Sequence, residues 1–423
     1  MTLFADDSNE TGSEPAAKPL SRWIAGGLSL LTAIVYFFSN PNPRSYYDYT
    51  FRVAENFLRG SIGFSEARPP WLNEFVPFEG YWYSVFPLGS VLTMIPVAAL
   101  RASKLISEHP GEWIAALQAA AVCWYLFKIA SHYDATRMRK VLMAMGILFG
   151  TFMWTNLTLA GAWQLALGFA MVGQLGAIYY TVYKRRPLLA GIFFALAVGN
   201  RTENLLTAPI FMYLLARSET EPAASKPLAD AGGSDKIRSL AMFCSVPFVL
   251  GVATLVYNYL RFHSFVDFGY ARIPGVLEEP WYHDGIFSTH YIPDQAYEML
   301  IKAWEWRDTF PYIVPDGFSS SVLVSSPFLI FLTRLGSRDR VLKYASWAAV
   351  AVLTFLLWIH GNSGGWQFGY RYAMILLPWA FVILLENSPR RISPVEWTLY
   401  TVSFVVNIYA TWLFHWTEFV ETF

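Results

Sequence analysis

A succession of apolar runs constrains this chain more than any other feature. They fall at about 22–39, 86–101, 112–131, 139–157, 160–183, 187–199, 205–217, 239–260, 320–335, 341–360, 373–386 and 396–414. Helices satisfy their own backbone polar groups, so they are the simplest reading of so many apolar runs in lipid. Composition agrees: 55% of residues are hydrophobic and only 15% charged, against roughly 25% charged in a soluble domain. The expected fold class is all-α, a polytopic membrane protein with about 11–12 apolar helical segments and short amphipathic helices in its outer loops. The net charge of zero gives no reason to expect a nucleic-acid partner. Cys123 and Cys244 both lie in apolar runs and read as packing residues, with neither a disulfide framework nor metal-ligand spacing.

Lys and Arg in short loops set the expected orientation. Arg137, Arg139 and Lys140 mark one cytoplasmic loop, and Lys184, Arg185 and Arg186 a second. The polar stretch 217–238, the cluster Arg334, Arg338, Arg340 and Lys343, and the turn Pro389, Arg390, Arg391 mark three more. The outer segments are then 40–85, 261–319 and 361–372. Residues 1–21 read as a disordered cytoplasmic N-terminus without a signal peptide, which makes the first run a retained anchor. Residues 22–386 form one transmembrane module, and 387–423 a C-terminal loop and last transmembrane helix. Strict alternation conflicts with the 137–140 and 184–186 clusters unless one early run does not cross. The candidate is 86–101, which is short and carries Pro87 and Pro96.

Five stretches could carry chemistry. RSYYDYTFRVAENFLRG, residues 44–60, follows the first run and presents Asp48, Arg52, Glu55 and Arg59 on one helix face. Taken alone, these charges fit a solvated face with an Asp48–Arg52 pair. FEGYWYSVFPLGSVLTMIP packs Tyr81, Trp82 and Tyr83 before Pro87, as an interfacial aromatic belt or as a wall for a sugar or polyprenyl chain. Two short runs flank GNRTEN, which reads as a helix pair broken within the membrane. Its Arg201 and Glu203 form either a pair that makes burial tolerable or a phosphate site. Residues 257–318 contain His and carboxylates without metal-ligand spacing and read mainly as a solvated loop. HGNSGGWQFGYRYAMILLPW surrounds Trp366 and Gln367 with glycines before Arg371, which either snorkels to the interface or clamps a phosphate.

Together these stretches resemble the GT-C superfamily of membrane glycosyltransferases, near bacterial aminoarabinose transferases and protein O-mannosyltransferases and their lipopolysaccharide-core branch. The resemblance runs through about 22–386. EGYWYSVFPLGS looks like the family's GxYYSxFPPGxxLL pattern, and GGWQFGYRYAMILLPW is similar to its GGxxFGxRYLxxLLP. The acid after the first run and the basic residue of the short helix pair complete the match. The resemblance implies transfer of a sugar from a polyprenyl-phosphate donor to a glycan, lipid or protein acceptor. It implies a bacterial inner membrane, with the site on the periplasmic face. Asp48 takes the place of the catalytic base, and Arg201 and Arg371 those of donor-phosphate ligands. Tyr81, Trp82, Tyr83, Glu203, Trp366 and Gln367 are expected near the substrate. Many relatives carry a second acid beside the first. Here that residue is Tyr49, so no metal ligand is assigned and divalent-metal use stays open.

A transporter or flippase of a lipid-linked saccharide is the rival reading, although no convincing internal repeat accompanies it. A membrane scaffold is a third, but it gives no reason for Asp48, Arg201 and Arg371 to converge.

Overall fold

The computed structural model describes residues 22–217, 233–365 and 367–420. The expectations for 1–21, for most of 217–238 and for Trp366 lie outside the described residues. The chain is mainly helical. In order, the helices are α1 (Arg22–Phe38), α2 (Tyr49–Leu58), α3 (Leu88–Ala102), α4 (Gly111–Ala130), α5 (Arg137–Phe149), α6 (Met153–Thr158), α7 (Ala162–Ile178, prolonged by a π turn at Tyr179–Tyr183) and α8 (Pro187–Asn200). They continue as α9 (Ala208–Ala216), α10 (Gly233–Phe262), α11 (Ile292–Leu300), α12 (Val322–Ser325), α13 (Arg340–Ile359), α14 (Leu377–Asn387) and α15 (Pro394–Trp416). Two small antiparallel hairpins, β1 (Phe75–Phe78) with β2 (Tyr81–Ser84) and β3 (Glu305–Trp306) with β4 (Ile313–Val314), modify the all-α expectation.

Among the described residues four helices are long and apolar enough to cross a membrane: α4, α7 with its π turn, α10 and α13. Several apolar runs are broken where the sequence supplies a breaker. The 139–157 run divides into α5 and α6 around Gly150–Phe152. The 320–335 run becomes α12 and a 3-10 segment, Pro327–Thr333, because Pro327 cannot continue the preceding helix.

α4, α7, α13 and the 3-10 segment Arg371–Leu376 continued by α14 all run between two ends of the molecule. At one end the basic loops meet. Glu386 at the close of α14 accepts hydrogen bonds from Tyr133 Oη (2.7 Å) and from the backbone N–H groups of Arg338 and Asp339 (3.1 and 2.6 Å). Glu396 in the first turn of α15 accepts from Arg139 and Arg334, each at 2.6 Å. Arg217 reaches Asp339 at 2.7 Å, and Arg185 donates to the Leu215 carbonyl. The described residues of the stretches that the sequence assigns to one side thus converge in space, with only Arg217 standing for 217–238.

At the other end lie the three segments expected outside. Residues 44–47 pack here against the starts of α4 and α7. His109 Nδ1 lies 3.1 Å from the Ser45 carbonyl, and the Ala162 N–H donates to the Tyr47 carbonyl at 2.9 Å. α3 begins and ends at this end. It starts with Gly89 against Gly199 of α8, an approach that leaves no room for a side chain. It finishes with Arg101 paired to Glu55 of α2 at 3.1 Å.

α8 is shorter than α7, against which it packs. Its 14 residues reach about 21 Å from the basic end, against about 33 Å for the 22 residues of α7 and its π turn. Arg201 then turns extended, with φ −138° and ψ 97°. A 3-10 segment, Thr202–Thr207, carries the chain into α9, which runs back to Arg217. Asn204 Nδ2 donates to the Arg201 carbonyl at 2.9 Å, and Thr207 Oγ1 to the Asn204 carbonyl at 2.7 Å. Arg201 therefore stands below the level at which α7 starts.

Candidate functional site

Two cavities open at the end opposite the basic loops. Both are built around four shared wall residues, Glu74, Trp163, Tyr270 and Tyr372. The first, about 530 Å³, is mainly apolar, with walls that include Phe86, Leu356 and Leu357. Its rim holds Leu205, Leu206, Phe268 and Phe287, all exposed. Arg201, Glu203 and His360 are the charged or titratable groups it adds to Glu74. The second, about 330 Å³, is polar and carries Arg44, Arg371, Glu279, Asn73, Gln164 and Asn362.

Glu74 precedes β1, and two neighbours hold it. Trp163, the second residue of α7, donates its Nε1–H to Glu74 Oε1 at 2.8 Å. Tyr49 Oη donates to Asn73 Oδ1 at 3.0 Å and fixes the preceding residue. Tyr49 therefore orders the segment that carries Glu74. Burial raises the Glu74 pKa to about 7, the Trp163 hydrogen bond and the positive charges of Arg371 and Arg201 oppose that rise, and Glu279 adds to it. The outcome is a carboxyl group that exchanges its proton near neutrality.

Both predicted arginines come to this place. The Arg201 guanidinium lies 4.8 Å from the Tyr372 ring centre and that of Arg371 5.2 Å from it, so both rest against Tyr372. Glu203 binds Arg201 through Nε at 2.7 Å and Nη2 at 2.6 Å, which leaves the Nη1 side for a ligand. Arg371 opens the 3-10 segment Arg371–Leu376 ahead of α14.

Other predicted residues are elsewhere. Asp48 is 7% exposed, lines neither cavity and pairs with Arg52 Nε at 2.6 Å. It stands at the N-cap of α2 without a side-chain cap bond. Tyr81, Trp82 and Tyr83 also lie outside both linings. The two-residue period of β2 puts Tyr81 and Tyr83 on one face, where Tyr81 is exposed and Tyr83 joins a cluster with Val76 and Phe262, and turns Trp82 the other way, against the main core. Gln367 is buried and acts on backbone: it donates to the Phe318 and Ser363 carbonyls and accepts from the Arg371 N–H at 2.7 Å. It positions the glycine-rich loop and does not line a cavity.

Glu74, Tyr372, Trp163 and Arg44 were not singled out from the sequence. Glu74 had one signal, as a lone acid between Trp71 and the apolar strand that follows. Among the described residues no group of three or more His, Cys, Asp or Glu could hold a metal ion. No family model, curated protein or solved structure matches the chain.

Proposed function

We propose that this chain is a polytopic GT-C-like membrane glycosyltransferase, which moves a sugar from a polyprenyl-phosphate donor to a glycan, lipid or protein acceptor. The observation that carries this reading is the meeting of an apolar, open-rimmed cavity with a polar one. They meet at a carboxyl group that titrates near neutrality and has arginines on both sides.

What the helices expose supports lipid as the surrounding solvent. α10 is 30 residues long, and Phe248 and Val249 on it are 70% and 66% exposed. α1 turns Ala25, Ser29, Thr32 and Tyr36 inward and leaves Leu30, Leu31 and Phe38 outside. This is the reverse of a helix in water. The basic-loop end is assigned to the cytoplasm and the cavity end to the periplasmic face of a bacterial inner membrane. With α3 returning on the outer side, α4 and all later helices agree with that assignment.

In the proposed reaction the polyprenyl chain enters over Leu205, Leu206, Phe268 and Phe287 and lies in the apolar cavity. The donor phosphate meets Arg201 on the face that Glu203 leaves open. The acceptor hydroxyl attacks the anomeric carbon from the polar side. The carbon–oxygen bond to phosphate breaks, polyprenyl phosphate leaves with the electron pair, and Glu74 takes the hydroxyl proton. Attack opposite the leaving group inverts the anomeric centre.

Two outcomes test the assignment of the base. The transfer rate is expected to rise with pH as Glu74 loses its proton, with a midpoint near 7, and to level off above it. A flat profile between pH 5 and 9, at saturating donor and with chemistry rate-limiting, contradicts Glu74 as base. Asp48→Asn is expected to keep most of the activity. The substitution leaves Arg52 one-third exposed and within reach of water, and Asp48 lines neither cavity. A drop of a hundredfold or more in a folded Asp48→Asn protein would return the role to Asp48.

A further inference from the structure

The two arginines beside Tyr372 are not equivalent. Arg201 belongs to the apolar cavity and is engaged by Glu203. Arg371 belongs to the polar cavity, is 6% exposed and has no carboxylate partner among the described residues. Its Nε is buried without any hydrogen-bond partner, and its Nη2 makes only a long contact, 3.5 Å, with Tyr372 Oη. A buried guanidinium edge without a hydrogen-bond acceptor is costly unless a ligand completes it.

Three neighbours point the same way. Gly364 has φ +125°, and a Cβ there would lie 3.1 Å from Arg371 Nε, so the glycine keeps that edge of the guanidinium open. Arg44 lines the same cavity. Burial lowers its pKa, Tyr46 and Tyr47 oppose that, and the nearby charge of Arg371 lowers it further, which places two cations around one space. Glu279, the other carboxylate on this wall besides Glu74, is held by Trp281 Nε1 at 2.7 Å. The amides of Asn73, Gln164 and Asn362 complete a lining suited to a polar, charged saccharide.

We propose that the polar cavity is a second anion subsite, in which Arg371 and Arg44 hold a phosphate or carboxylate group of the acceptor. This rests on the transferase reading above for the word acceptor. The anion subsite itself does not depend on transfer. It separates the two arginines that the sequence pairs on one donor phosphate: Arg201 serves the donor and Arg371 the molecule that receives the sugar.

The test is binding to the purified full chain in detergent, read from the fluorescence of its tryptophans, of which Trp71 and Trp163 line this cavity. Inorganic phosphate, glucuronate and polyprenyl phosphate are the probes, with glucose as neutral control. Phosphate and glucuronate are expected to bind saturably. Arg371→Gln is expected to weaken both by about tenfold or more and to leave polyprenyl phosphate little changed. Arg201→Gln is expected to do the opposite, and Arg371→Lys to recover part of the loss. No saturable phosphate binding to the wild-type protein, or phosphate binding weakened by Arg201→Gln and not by Arg371→Gln, overturns the proposal. If Arg371→Gln does not fold, Arg44→Gln decides, and unchanged phosphate binding in that variant overturns it. Failure of the transferase reading looks different: the anions bind as expected and no sugar moves.

Discussion

Replacing Glu74 by Gln is expected to lower the transfer rate by about 10²–10⁴-fold, the range that a positioned general base contributes, with little change in donor KM. Gln has nearly the shape of Glu and its Oε1 can still accept the Trp163 Nε1–H, but it cannot take a proton from the acceptor. Arg201 and the apolar cavity are left as they were, so donor binding persists. Misfolding can be separated from this loss. Burial holds the Glu74 proton more tightly in the folded protein than in the unfolded chain. That contribution to stability is present below the ordinary carboxyl range and is lost as pH rises through about 7. The Gln variant has no such loss and is expected to melt no lower than wild type at pH 8. A Glu74→Gln protein with a near-normal rate removes the proposed mechanism.

The second large effect concerns the opposite end. Glu396→Ala is expected to destabilise the protein by about 3–5 kcal/mol, because it leaves a buried charge without its partner. The side chains of Arg139 and Glu396 are only 3% and 2% exposed, and Arg334 shares the same carboxylate. Glu396 also closes the capping box that starts α15, with Ser393. The measurement is the melting temperature of the detergent-solubilised chain, and a shift within a degree of wild type contradicts the account. Arg139→Met combined with Glu396→Met is expected to recover part of the loss, since removing both charges avoids the orphan. This network ties α5, α15 and the loop before α13, so its loss is expected to lower stability before it touches the site.

Several features were legible in the sequence because they depend on local pattern. Apolar runs bounded by Pro, Gly and basic residues give helices close to the expected ranges. The two short runs around GNRTEN become α8 and α9, with Arg201 at the break between them. The basic clusters meet at one end because each lies where a helix ends or begins there. The site was less legible. Glu74 gains its setting from Trp163, 89 positions away, and no local period reports such a contact. Asp48 stands out in sequence as the acid that follows the first run, but the turn into α2 gives it to Arg52. The aromatic triplet at Tyr81 to Tyr83 reads as a wall only if all three rings face one way, and a strand forbids that. Gln367 looked like a substrate group, although its amide is fully used by backbone partners.

The central claim is that sugar is transferred from a polyprenyl phosphate at Glu74 and Arg201. Its most direct test uses purified protein in liposomes, polyprenyl phosphates labelled in the sugar and a bacterial envelope glycolipid extract as acceptor. The account predicts that label leaves the polyprenyl phosphate and appears on a new, larger species in the wild-type protein. It predicts that Glu74→Gln and Arg201→Gln slow this transfer by about a hundredfold or more. Donor that stays chemically intact while its label moves from one leaflet to the other, equally in wild type and in Glu74→Gln, would contradict it and show a protein that carries lipid-linked saccharides without reacting them.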